Sequence, residues 1–181
     1  GQTPQARIVE MAIKHDIAIY SAHTSLDVAA DGINTRLAKK IGLKNSRPLI
    51  ENGLGAIGEL EEEMNYTDFI GKIRALLDCT YVRYTRPKKE QVKTIALCGG
   101  SGAEFIGEAI AQGADVYITA DCKYHEFQDA EGRIGLMDID HWISERHARE
   151  IFLDFIGNLG LDCRISKTDK TPILLWQEQK N

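Results

Sequence analysis

This 181-residue sequence has no C-x-x-C pair, only four prolines, no basic excess and no long apolar run. Each absence excludes a class of protein. The four cysteines, Cys79, Cys98, Cys122 and Cys163, lie too far apart for a zinc ribbon and do not suggest a disulfide framework. They read as reduced, mostly buried thiols of a cytoplasmic protein. Lys and Arg number 22 against 27 Asp and Glu, a net charge of −5, so no positive surplus exists to neutralise a nucleic acid or an anionic bilayer. No stretch reaches the roughly 18–20 apolar residues of a membrane-spanning helix, and no signal-peptide pattern is present. What is there, 43% hydrophobic and 27% charged residues, is the mixture of a folded chain long enough to bury a core.

Strand-like and helix-like patterns alternate along the chain. Thr3 before Pro4 is a helix start leading into ARIVEMAIKHD. IAIYSAH, residues 17–23, reads as a buried strand, and INTRLAKKIG as a short helix stopped by Gly42. NGLGAIGEL, 52–60, reads as a strand with close backbone approach, and the acidic ELEEEM, 59–64, as a solvated face or loop. YTDFIGKIRALLD follows as an amphipathic helix capped by Thr67. From Val92 the strands KTIALC, ADVYITA and RIGLMDI alternate with the helices GAEFIGEAIAQG, KYHEFQDAEG and HWISERHAREIFLDFIGNLG, with LDCRIS and ILLWQE as closing strands. This alternation predicts βαβ units and an α/β fold, a mostly parallel sheet with flanking helices. Ile151, Phe155 and Leu159 recur every four residues and predict core packing. The polar TRPKKEQ, 85–91, marks a boundary.

In such sheets ligands gather at the carboxyl ends of parallel strands. HTSLD places His23 and Asp27 after the first strand; either is structural, a hydrogen-bonded imidazole and a helix-capping carboxylate, or both face a ligand. GGSG, comprising Gly99, Gly100, Ser101 and Gly102, is a tight turn or an anion cradle, and is neither G-x-G-x-x-G nor a Walker loop. ADVYITA leads to Asp121, Lys123 and His125, and RIGLMDI to Asp138, Asp140 and His141. On a helix starting near Asp140, His141 and Glu145 lie one turn apart on one face, where they can share an ion or a water. Imidazole with carboxylates suits zinc, iron, manganese or nickel. The plainer alternative is a surface helix in which Arg146 or Arg149 pairs with Glu145. Trp142 either walls the cleft or anchors the helix.

HTSLD, GGSG, ITADCKYHE and DIDHWISE, in that order and each after a strand, together with GLGAIGEL and the closing T-P-I, resemble the Nif three-like family. Its members are known as GTP cyclohydrolase I type II homologues, and the likeness runs from Ile17 to Ile173. The resemblance implies that family's fold, a cleft with up to two divalent metal ions per subunit, and a homo-oligomer, a hexameric ring built as a trimer of dimers. By motif, Asp27, His141 and Glu145 would be metal ligands, with Asp121 beside the metal as a group that orients them. The adjacent histidine pair that the family supplies near its N-terminus has no match here, so the expectation is a chain lacking its N-terminal part. Residues 1–84 would then be the C-terminal part of a first α/β lobe and residues 85–181 a second lobe with the metal-ligand helix. Some relatives insert a domain where SRPLIEN here runs straight into GLGAIGEL. Missing upstream strands would leave a sheet edge and apolar surface exposed. The expected function is a metal-dependent hydrolase acting on a nucleotide or another phosphate-containing small molecule. In it His23 and His125 would move protons, while the GGSG loop and Lys123 hold an anionic part of the substrate. A non-catalytic metal-storing or metal-delivering protein and a metal-stabilised scaffold are the alternatives. A membrane and nucleic acid are not among the expected partners.

Overall fold

The computed structural model describes residues 2–176. The Thr3 hydroxyl accepts the Ala6 N–H at 3.1 Å, and Pro4 takes the first position of α1 (Pro4–Lys14), where no N–H is needed. No residue of α1 is buried, and Ile8, Val9, Met11 and Ile13 are all exposed. Residues 17–23 form no strand: Ile17, Ile19 and Tyr20 are exposed, and the segment runs into α2 (Thr24–Asp27). Apolar content predicted a strand there, but composition supplies no pairing partner. In α3 (Ile33–Ile41) the residues Ile33, Asn34, Leu37, Ala38 and Ile41 are buried, and Gly42 ends the helix at φ 89°, its N–H turned back to the Ala38 and Lys39 carbonyls.

The remaining elements are β1 (Lys44–Arg47), β2 (Ala56–Asn65), α4 (Tyr66–Leu76), β3 (Arg83–Tyr84), β4 (Gln91–Ser101), a 3-10 turn (Ala103–Phe105), α5 (Ile106–Ala111), β5 (Val116–Ala120), α6 (Tyr124–Ala130), β6 (Gly135–Asp138), α7 (His141–Glu145) and α8 (Ala148–Gly157). Six strands form one sheet in the order β1-β2-β4-β5-β6-β3. The α/β expectation holds: β4, β5 and β6 pair in parallel across two βαβ crossovers, and β1–β2, β2–β4 and β3–β6 are antiparallel outworks. Strands from both sides of residue 85 share this sheet, with TRPKKEQ joining β3 to β4. Successive side chains alternate between its faces. Ile95, Leu97, Val116, Ile118 and Met137 pack with Leu37, Phe69 and Ile73 in one layer, while Ala96, Cys98, Tyr117 and Leu136 pack with Leu49 and Ile134 in the other. Among the described residues no helix is long and apolar enough to cross a membrane.

Several local readings are corrected. ELEEEM is the solvated face of a strand and not a loop: it lies inside β2, with Leu60 turned inward and Glu59, Glu61, Glu62 and Glu63 outward. The cap of α4 is Asn65, whose side chain accepts the Thr67 N–H at 3.0 Å. The predicted long last helix is broken into α7 and α8. The Ser144 hydroxyl donates to the His141 carbonyl at 2.8 Å, competing with the helical ladder just before the break. Ile151 is buried, but Phe155 and Leu159 on the same stripe are exposed. LDCRIS forms no strand, nor do residues 173–176 of ILLWQE; its residues 177–178 lie outside the described residues.

Two buried polar groups shape the carboxyl end of the sheet. Asp138 closes β6: its Oδ2 accepts the Cys122 N–H at 2.8 Å and bonds the Arg83 guanidinium, and its Oδ1 faces the Asp140 N–H at 3.3 Å. One carboxylate thus fastens the loops after β5 and β6. Asp138→Ala leaves the Cys122 N–H buried without a partner and is expected to cost about 2–4 kcal/mol in urea unfolding. His147, between α7 and α8, is buried with Nε2 unpartnered among the described residues. Burial and the nearby Lys40 charge hold its pKa below the ordinary 6.5. On acidification the unfolded chain therefore takes up the proton first, so this contribution to stability is intact above pH 6.5 and fades below it. Unfolding curves at pH 7.5 and pH 5.5 should show a smaller acid-induced loss in His147→Gln than in the parent chain.

Candidate functional site

A cavity of about 620 Å³ lies at the carboxyl end of β4. Gly99 and Ser101 of β4 line it, His141 and Glu145 reach it from α7, and Tyr20, His23 and Asp27 form the opposite wall. Asp27, His141 and Glu145, which are 114 or more positions apart from first to second, therefore face a common space.

The geometry around His141 is the most constrained part. Its Nδ1 lies 2.6 Å from Asp121 Oδ2, and its Nε2 lies 3.2 Å from Glu145 Oε2. An ionised carboxylate only accepts, so Nδ1 carries the proton toward Asp121. A neutral imidazole then presents its Nε2 lone pair to a second carboxylate. Such a contact needs a proton between the two atoms or a cation beside them. Burial opposes charging of the ring, but the hydrogen bond to Asp121 and the charges of Glu145 and Asp121 outweigh it and raise the His141 pKa above its usual value.

Asp27 reaches the cavity from α2. Its Oδ1 is buried and, among the described residues, meets no hydrogen-bond donor. Burial and then the Glu145 charge raise its pKa, with partial relief from His23 and His141. Asn34, buried at the start of α3, locks this segment in place: its amide donates to the Asp27 carbonyl at 3.1 Å while its oxygen accepts the Gly99 N–H at 2.8 Å. Asn34 was not singled out by sequence reasoning. Its signal was a polar residue on the apolar stripe of α3.

The GGSG stretch plays a different part from the one expected. Gly99, Gly100 and Ser101 belong to β4, and the N–H groups of Gly99, Gly100 and Gly102 donate to Asn34 Oδ1, Ser144 Oγ and Thr119 Oγ1 at 2.8, 2.8 and 3.0 Å. These donors are therefore not turned outward as an anion cradle. The glycines serve close approach instead: a Cβ on Gly100, at φ 68°, would sit 2.2 Å from Glu145 Oε1. His23 lines the cavity, with Nδ1 2.7 Å from Thr24 Oγ1. His125 and Lys123 do not join it. His125 is exposed on α6, beside Gln128 and the Tyr124 ring, and Lys123 is exposed just before that helix. Asp121 does join, through His141. Three of the six non-glycine residues with positive φ among the described residues, His23, Asp121 and Asp140, lie at or beside this site.

For a divalent ion the donor set is chemically suitable: an imidazole nitrogen, two carboxylates of which one carries an orphaned buried oxygen, and a third carboxylate behind the imidazole. Among the described residues, no group of three or more His, Cys, Asp or Glu is already arranged to hold an ion. Asp27 shares the cavity with His141 and Glu145 without being drawn up to them.

The profile of a family described as Duf34/NIF3 (NGG1p interacting factor 3) matches residues 1–172. A protein of Nostoc sp. (strain PCC 7120) named GTP cyclohydrolase 1 type 2 homolog is 32% identical over 163 residues, 86% of this chain and 62% of its own length. One of the same name from Clostridium perfringens is 37% identical over 140 residues, 74% of this chain and 53% of its own. The chain thus spans little more than half the length of these curated relatives. Among solved structures, Staphylococcus aureus hypothetical protein SA1388 superposes with a TM-score of 0.84 at 26% identity, covering 97% of this chain and 74% of that one. Reduced HcgD from Methanocaldococcus jannaschii gives a TM-score of 0.71 at 27% identity, covering 83% and 60%.

Gly100→Ala tests the packing reading. The added methyl should displace the Glu145 carboxylate and, with the strained φ, cost about 1–2 kcal/mol in thermal or urea unfolding. A Gly100→Ala chain as stable as the parent would contradict the close approach.

Proposed function

The chain belongs to the Duf34/NIF3 family, and from that premise we propose that it holds a divalent metal ion with Asp27, His141 and Glu145 and serves hydrolysis of a phosphate-containing small molecule. The observation that carries the reading is the His141 contact set. One ring nitrogen is occupied by Asp121, and the other is turned toward Glu145 in a cavity where an unpartnered Asp27 oxygen also lies. Zinc, iron, manganese and nickel all suit these donors. Three donors suffice for one ion, and a second ion needs ligands from outside the described residues.

A bound ion supplies Lewis-acid chemistry, polarising a phosphoryl or carbonyl oxygen of the substrate. The chain's own residues do the rest. Asp121 keeps the Nδ1 proton in place and fixes the ring plane of His141, which sharpens the aim and basicity of Nε2. His23, tethered to Thr24 through Nδ1, offers Nε2 as the group that takes or returns a proton at the cavity wall. Ile33, Leu54, Phe105 and Phe152 exclude water from the flanks of the cavity. The curated relatives' name, GTP cyclohydrolase 1 type 2 homolog, supports a nucleotide as the phosphate-bearing substrate. Assembly into a hexameric ring belongs to the same proposal, and the exposed apolar residues of α1 are surface that such contacts would cover.

Metal content of the purified chain, loaded and then dialysed, tests the site directly. The parent chain should retain about one ion, Glu145→Gln should lose it, and Asp121→Asn should weaken it roughly 10–100-fold. Unchanged metal content in Glu145→Gln removes the site. Turnover of nucleotides and phosphate esters should disappear in Asp27→Asn, and activity that survives this change argues against the reacting centre.

A further inference from the structure

A second cavity lies beside the first, on the other side of α7. Its volume is about 580 Å³, it shares His141 and Glu145 with the cavity that holds Asp27, and its walls include the apolar side chains of Trp142, Phe152, Pro172 and Ile173. The segment carrying the last two residues is tied down at Asp169. One oxygen of that carboxylate accepts the Trp142 indole N–H at 2.9 Å, and the other faces Arg149 Nη1 at 3.4 Å. The Arg146 and Arg149 guanidiniums lie 5.6 and 5.8 Å from the Trp142 ring centroid, and the carboxylates of Asp140, Glu145 and Asp169 line the same cavity. The Arg149–Asp169 pair is partly solvent-exposed and long, the kind of contact that contributes little to stability. A carboxylate therefore sits on an indole donor and an arginine beside apolar side chains, with a normal hydrogen bond to the first and only a long contact to the second.

We propose that this chamber receives the ring of a compact planar molecule whose oxyanion takes the place of the Asp169 carboxylate on Arg149 and the Trp142 N–H. Bound so, the molecule extends toward His141 and Glu145 through the shared wall. The inference rests on the reading of the His141–Glu145 cavity as the reacting centre, and it narrows the substrate to an aromatic ring bearing phosphate, phosphonate or carboxylate. A ring-free anion matches Arg149 but leaves the apolar walls unfilled, and an uncharged ring fills the walls but cannot displace Asp169. Asp169 is thus an internal competitor, which gives the two residues opposite signatures: removing Arg149 weakens the ligand, and neutralising Asp169 strengthens it.

Trp142 and Trp176 are the only tryptophans, so in a Trp176→Phe chain the intrinsic fluorescence reports Trp142 alone. The 181-residue chain in this background is titrated with phenylphosphonate and, separately, with inorganic phosphate, in the presence of a chelator. Phenylphosphonate should quench Trp142 saturably, and inorganic phosphate should bind about tenfold or more weakly. Arg149→Gln should weaken phenylphosphonate by about tenfold, Arg149→Lys by less, and Asp169→Asn should tighten it by about threefold or more. Asp169→Asn that leaves affinity unchanged or reduced, binding indifferent to Arg149, or no saturable quench in any of these chains overturns the proposal. Because the titration is metal-free, loss of the metal site shows in the metal content of Glu145→Gln and not in this measurement, so the two readings fail separately.

Discussion

One imidazole held between two carboxylates governs the rest of this site. Asp121 accepts the hydrogen bond of His141 Nδ1–H, and Glu145 approaches Nε2 to 3.2 Å, so a proton between those two atoms or a cation beside them is needed at that face. Every neighbouring feature serves to hold these three groups. Gly100 has no Cβ where Glu145 Oε1 must pass, its N–H donates to Ser144, and the Ser144 hydroxyl in turn bonds the His141 carbonyl. Asp138 fastens the loops that carry Asp121 and His141. The positive φ values of Asp121 and Asp140 persist because this network determines them from several sides.

The sheet explains why these residues meet. β4, β5 and β6 are neighbours and run in parallel, so their carboxyl ends lie side by side. Gly100 lies near the end of β4, Asp121 just past β5, and Asp138 and His141 at and beyond β6. Convergence at strand ends is the general property of such sheets, and here it assembles one half of the donor set with little help from elsewhere. Asp27 comes from outside the sheet and is positioned through Asn34, which links its carbonyl to the Gly99 N–H. The half built on the sheet is thus tightly hydrogen-bonded, and the half built on α2 leaves a buried oxygen unpartnered.

What was legible in the sequence follows from which physical signals are local. Alternation and β-branched runs located β4, β5 and β6 because each is buried on both faces. Helical spacing correctly put His141 and Glu145 on one face of α7. The same kind of signal failed at residues 17–23 and along Phe155 and Leu159, where apolar side chains are exposed among the described residues. Apolar patterning registers a preference for burial but does not say what supplies the covering surface. The role of the glycines in GGSG was illegible for a different reason. A glycine that cradles an anion and one that admits a carboxylate from a distant helix are the same residue in sequence, and only the position of Glu145 separates them. His125 and Lys123 were misleading through adjacency: they follow Asp121 closely, but the chain turns into α6 between them and carries both away from the cavity.

Charge accounts for the character of the whole region. Asp27, Asp121 and Glu145 bring three carboxylates around His141, within a chain whose net charge is already −5. Burial and then the Glu145 charge raise the Asp27 pKa, and Asp121 and Glu145 raise that of His141 against the burial that opposes its charging. A negative field inside a partly buried cavity repels an anionic substrate unless something offsets it. In the proposed reading a cation would do so for the first cavity, while Arg146 and Arg149 flank Trp142 in the neighbouring one. The two cavities are contiguous in space and share His141 and Glu145, so an anionic molecule entering the second meets its only arginine or lysine side chains at Arg146 and Arg149 among the described lining residues.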